Sequence, residues 1–182
     1  MAKEKQLNSP KNINSTTVAL ILFGLLVVFR LLIETLNWDW TIRVYPILLF
    51  ILVAGYMGIR EQRIKSREYL TYIMELKAAL RPSAILAFLY SAFSYIFYRF
   101  VSPDFFNKMI MERRAEFEKS IAENNVGTEE ANKVLQNFEQ VTEYIFSPLN
   151  WATFTLLGLI MLSFIYGALL VLFARKFPKM IQ

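Results

Sequence analysis

The chain has 182 residues, of which 55% are apolar and 19% charged, with a net charge of +5 and a mean hydropathy of +0.37. That balance, with the charges gathered between long apolar runs, excludes an ordinary soluble domain and indicates several membrane spans. There is no histidine and no cysteine, so the usual zinc ligands, thiol nucleophiles and disulfides are all excluded.

A span needs roughly 20 mainly apolar residues to cross about 30 Å of hydrocarbon. Four runs qualify: 17–36, 42–59, 83–101 and 151–174. Lys3, Lys5 and Lys11 precede the first, as they would in a secretory signal. The run is too long for a signal's apolar core, and bulky residues, Asn37 to Trp40, stand where small ones would mark cleavage. It is therefore predicted to be an uncleaved anchor. Within it Arg30 and Glu34 lie four apart and share a face. Charges at such depth are expensive and are functional candidates by default. Arg30 is roughly 9 Å from the outer end at helical rise, so it can snorkel or pair with Glu34. A structural pair and a ligand, ion or partner site both remain open.

The second span carries Pro46 near its start, where a helix tolerates it. In the connector 60–82, Tyr69, Ile73, Leu76 and Leu80 form an apolar stripe, while Arg63, Lys65, Arg67, Glu68 and Lys77 are polar and mostly basic. This pattern predicts a cytoplasmic amphipathic helix lying in the lipid interface. The third span bears a small-residue stripe, Ser83, Ala84, Ala87, Ser91 and Ser94, suited to close helix contact. Tyr98 and Arg99 close it on the outer side and complete a candidate polar cluster of Arg30, Glu34, Tyr98 and Arg99.

Residues 102–147 read as an external helical hairpin. Ser102, Pro103 and Asp104 supply an N-cap, a first-turn proline and an early acid. Gly127 breaks the segment, and Thr128 with Glu129 and Glu130 starts a second helix. Phe106, Ile110, Phe117, Val134, Phe138 and Ile145 fall on apolar faces at helical spacing and form a candidate docking face for a partner. The competing expectation is that the two stripes zip onto each other. Ser147 and Pro148 repeat the cap-and-proline signal before the last span, where Ser163 and Gly167 make another small pair.

Lys and Arg crowd the N-terminus, the connector and the C-terminus, whereas nine acids outweigh the cations of residues 102–147. By the positive-inside rule both termini are cytoplasmic and the hairpin is extracytoplasmic. Trp38, Trp40 and Trp151 then fall at one face as an aromatic belt. The six prolines fall at or near span ends, Pro82 among them.

The stretches EYLTYIMELKAALRPSAI and YIFYRFVSPDFFNKM, the latter with Tyr98, Pro103, Asp104 and Phe105, resemble a bacterial membrane family, domain of unknown function family 4199. The resemblance runs along nearly the whole chain. It departs at Tyr69 to Tyr72, where the family usually has a glycine and a Ser-Phe pattern. It implies a fold rather than an activity.

The expected fold is all-α: a four-transmembrane-helix bundle with the hairpin between spans 3 and 4 and the interfacial helix between spans 2 and 3, in one polytopic domain. The expected function is a non-catalytic, multi-pass inner-membrane accessory or assembly subunit that presents the hairpin to a partner. The alternative is a small transporter or channel using the Arg/Glu cluster, although no broken central helix or inverted repeat is visible. No catalytic, cofactor or metal residue is predicted. The expected partners are the lipid bilayer, a protein at the hairpin and a second copy of the chain, with no nucleic acid.

Overall fold

A computed structural model describes residues 14–36, 38, 42, 44–66, 70–123 and 128–177, and all their side chains except those of 122–123, 128–132 and 134. Among these residues there is no strand. The helices are α1 (Ser15–Thr35), α2 (Val44–Lys65), α3 (Tyr72–Ile96), a π-helical turn (Phe97–Val101), α4 (Phe105–Glu123), α5 (Thr128–Ile145) and α6 (Pro148–Lys176). Four segments are long and apolar enough to cross a membrane: α1, α2, Tyr72–Val101 and α6. The chain divides into two compact units, residues 1–90 with 158–182, and residues 91–157.

In the first unit α1 starts on Asn14, whose side chain accepts from the Thr16 amide at 3.0 Å. The Ser15 amide, a donor that helix geometry leaves unsatisfied, donates to Glu61 Oε2 of α2 at 2.6 Å. Along α1 the residues Ala19, Leu22, Leu26, Arg30 and Ile33 are buried, while Leu20, Ile21, Leu25, Val28, Leu31 and Leu32 are exposed. Such a surface is unfavourable in water and is what a lipid-facing flank requires.

The helices α2 and α3 meet through small residues. A Cβ on Gly58 would lie 2.0 Å from the carbonyl oxygen of Ala78 and 2.9 Å from Pro82 Cγ. Proline has no N–H, so Pro82 cannot bond the Ala78 carbonyl four residues back, and the Gly58 backbone rests against that freed oxygen. Ser83 Oγ donates within reach of Ile51 O and Ala79 O, both at 3.1 Å, tying the next turn of α3 to α2. Gly167 brings α6 against Leu76 and Ala79 of α3 in the same way. The core between them is Ile59, Ala79, Val171 and Ala174, flanked by Tyr56, Tyr72, Leu76 and Leu170.

Among its described residues the connector forms no helix of its own. Its first residues extend α2 to Lys65, and from Tyr72 onward it is the beginning of α3. Pro82 is accordingly buried inside a helix rather than at its end, and Gly58 is what makes that position tolerable. Residues 67–69, with Arg67, Glu68 and Tyr69, lie outside the described residues.

In the second unit the π turn is closed by the Ser102 amide donating to Phe97 O at 3.0 Å, five residues back. It turns Phe97 and Tyr98 inward and leaves Arg99, Phe100 and Val101 exposed. The helix α4 begins at Phe105, two residues later than the Pro103 start, because Asp104 is the residue whose carbonyl accepts the first helical bond, from Lys108 at 3.0 Å. The cap before α6 is as the sequence indicates: the Asn150 amide donates to Ser147 Oγ at 3.3 Å, and Pro148 is the first helical residue. Ser91 Oγ donates to Ala152 O at 2.6 Å, joining the end of α3 to the start of α6.

Candidate functional site

The candidate polar cluster is divided between the units. In the first, Arg30 is 5% exposed on the buried face of α1 and Glu34, one turn on, is half-buried. Both engage neighbours. In the second, Tyr98 is buried and Arg99 is exposed.

Tyr98 belongs to an aromatic cluster at the root of the hairpin. Its ring lies 4.7 Å from Phe106 and 4.9 Å from Phe105, and edge-on to Phe97 at 5.6 Å. Phe106 continues the cluster to Phe146 and Trp151. These tilted and edge-on geometries are favourable for aromatic rings and fix where α4 leaves the π turn. Trp151, expected in an interfacial belt, is half-buried and packs against this cluster. Trp38 is 51% exposed, and Trp40 lies outside the described residues.

Farther out, α4 and α5 zip together. Phe117 stacks on Phe138 at 4.7 Å with 10° between the rings, and Arg114 bridges to Glu139 at 2.6 Å. The hydrogen bond from Arg114 to Glu118, and then the charge of Glu139, raise the guanidinium above its already high pKa, so it is charged at any physiological pH. Of the candidate docking face, Phe106 is buried and Ile110, Phe117, Phe138 and Ile145 are half-buried; Val134's side chain lies outside the described residues. Among the described residues of the hairpin, the large apolar side chains left exposed are Met111, Val141 and Tyr144. Between the π turn, α4, α5 and the start of α6 opens a cleft of about 590 Å³. Tyr98, Phe106, Ile110 and Phe138 supply its apolar lining, and Arg99, Arg114, Glu139 and Glu143 its charges. Members of both candidate sets thus meet here.

Residues 16–176 match the family model described as Protein of unknown function (DUF4199). The chain belongs to that family. No curated protein and no solved structure matches it. In this DUF4199 protein the YIFYRFVSPDFFNKM stretch that carries the sequence resemblance builds the π turn and the aromatic root, so the resemblance falls on the residues that orient the hairpin.

Sequence reasoning missed the most organised polar group of the DUF4199 chain. Glu75, 3% exposed near the start of α3, is held by two arginines from two other helices. Arg63 of α2 reaches Oε1 through Nε at 2.7 Å and its terminal nitrogen at 2.6 Å, and Arg175 of α6 reaches Oε2 at 2.7 Å. The arginines spend further donors on backbone carbonyls, Arg63 on Ala174 at 3.1 Å and Arg175 on Leu70 at 2.8 Å. Arg175 also lies over the Tyr72 ring, 5.7 Å from its centre. Both carboxylate oxygens are satisfied, which is the condition under which a buried ion group is tolerable. The signal was present: Glu75 stands one turn before Ala79 and two before Ser83, an acid on the buried stripe of α3.

Proposed function

We propose that this DUF4199 protein is a non-catalytic, multi-pass protein of the bacterial inner membrane that acts as an accessory or assembly subunit. Its hairpin is the presented element and its partner is another protein. The observation that carries this reading is the cleft at the hairpin root, concave, apolar at its base and bearing both signs of charge at Arg99, Arg114, Glu139 and Glu143. A pocket of that composition suits a polypeptide segment with an apolar anchor and polar flanks. Met111 and Tyr144, 70% and 66% exposed, add apolar surface on the same hairpin. Both termini are cytoplasmic in this reading, in keeping with the crowding of Lys and Arg at 3–11, 60–81 and 175–179 and the acidity of the hairpin.

The test is a mild-detergent or nanodisc pull-down from native membranes, with mass spectrometry and light scattering on the eluate. A stoichiometric partner is expected, lost when residues 102–147 are replaced by a short linker. A clean homo-oligomer without a partner would overturn the accessory reading and favour a transporter or channel built on Arg30, Glu34 and Arg99.

A further inference from the structure

The first unit holds a second cleft, of about 420 Å³, bounded by the start of α1, the end of α2 and the early turns of α3. Its lining includes three cations, Lys65, Lys77 and Arg81, and one acid, Glu61. The acid is already engaged: Glu61 Oε2 accepts the Ser15 amide at 2.6 Å, and Oε1 is paired with the Lys65 ammonium. Lys77 and Arg81 stand one turn apart on α3, both exposed, and among the described residues neither has an ion-pair partner. Among the described residues, no acid neutralises these two positive charges.

The position of the cleft narrows what those charges hold. All three bounding helices are candidate membrane spans, and the cleft lies at the cation-bearing end of α2 and the early, cation-bearing turns of α3. Its floor is closed by Gly58 against Ala78, where α2 and α3 touch, and Met74, 50% exposed, gives one wall an apolar face. The volume is within the roughly 300–1,000 Å³ of small-molecule pockets and several times what a bare phosphate occupies. A lysine and an arginine in register offer a point charge and a planar fork to phosphate oxygens. Basic pockets between spans on the cytoplasmic side are where anionic headgroups are recognised.

We propose that this cleft binds the phosphate of an anionic phospholipid headgroup, with Lys77 and Arg81 as its principal ligands. Lys65 and the Gln62 amide lie at the same rim and add donors. The acyl chains leave past Met74 into the bilayer. The site is separate from the hairpin, so it stands or falls independently of the accessory-subunit reading.

The full chain, purified in a neutral detergent, is titrated with phosphatidylglycerol, phosphatidylcholine or inorganic phosphate and followed by native mass spectrometry and thermal unfolding. Phosphatidylglycerol is expected to bind in preference to phosphatidylcholine and to raise Tm. The Lys77→Ala/Arg81→Ala double variant should lose about thirtyfold in affinity, since each cation near an anionic surface contributes roughly fivefold. Lys77→Arg/Arg81→Lys should retain binding, and Lys108→Ala/Lys133→Ala, which removes equal charge from the hairpin, should leave it unchanged. Because Lys77 and Arg81 are exposed, their removal should not impair folding, which the unliganded Tm checks. Equal binding of the two lipids, or undiminished binding by the Lys77→Ala/Arg81→Ala variant, would overturn the proposal. Equal protection by inorganic phosphate at the same concentration would overturn the lipid assignment and make the ligand a soluble phosphate.

Discussion

Replacing Gly58 by alanine tests the way α2 and α3 are joined. The added methyl would sit 2.0 Å from the Ala78 carbonyl oxygen and 2.9 Å from both the Ala78 carbonyl carbon and Pro82 Cγ. Carbon and oxygen ordinarily come no closer than about 3.3 Å even in favourable C–H···O contacts, so the helices must part by about 1.3 Å at this point. The obstacles are backbone and a proline ring, and neither can rotate away. Overpacking of this kind costs up to about 3 kcal/mol, and the better helix propensity of alanine returns about 1, leaving a net loss of about 2 kcal/mol. For a chain of this length that corresponds to a fall in Tm of about 4–8 °C. Thermal unfolding in detergent, read by loss of helical circular dichroism, measures it. Gly24→Ala and Gly158→Ala are the controls, because a Cβ at either position meets nothing within 4 Å. They should hold or raise Tm. If Gly58→Ala is as stable as the parent, or if Gly24→Ala falls equally far, the close approach is not what holds these helices together.

Glu75→Gln removes the shared charge between Arg63 and Arg175; with both arginines still partly open to water at 20% and 33%, a loss of about 2 kcal/mol is expected in denaturant titration. Replacing all three residues by methionine should recover part of it, and no loss in the single variant would show that the group carries no stability. Phe106→Ala should cost about 3–4 kcal/mol and loosen the hairpin root, read as faster proteolysis between residues 102 and 147 and red-shifted Trp151 emission, since Phe106 lies 5.8 Å from that indole. Unchanged cleavage and emission would mean that the aromatic cluster does not orient the hairpin.

Sequence alone determined the helical class, the spans and the hairpin helices, though not that the connector would be shared between α2 and α3. Length and hydropathy suffice for the spans because hydrocarbon thickness sets a minimum apolar run, and local chemistry suffices for the cap at Ser147 and Pro148 because capping involves only neighbours in the chain. The amphipathic stripes of the hairpin were legible for the same reason, including Phe117 and Phe138, which stack. Their partner was open between two expectations, each other or another protein. The stripe shows that a face avoids water, and only the folded pair showed that each helix covers much of the other's.

Tertiary structure decided what lay across long sequence separations. Glu75 and Arg175 are 100 residues apart, so no periodicity could join them, and the connector's basic residues read as the polar face of an interfacial helix until Arg63 was seen donating to Glu75. The same holds for Pro82, which reads as a helix breaker and is accommodated because Gly58 lets α2 pack against the carbonyl it frees. The deepest reason lies in the solvent. In a membrane the outside of the protein is as apolar as its core, so hydrophobicity does not say which side of a span faces protein: Leu25 is 52% exposed and its neighbour Leu26 only 2%. Identical side chains acquire opposite roles there, and packing through glycine, serine and a few buried charges makes the choice.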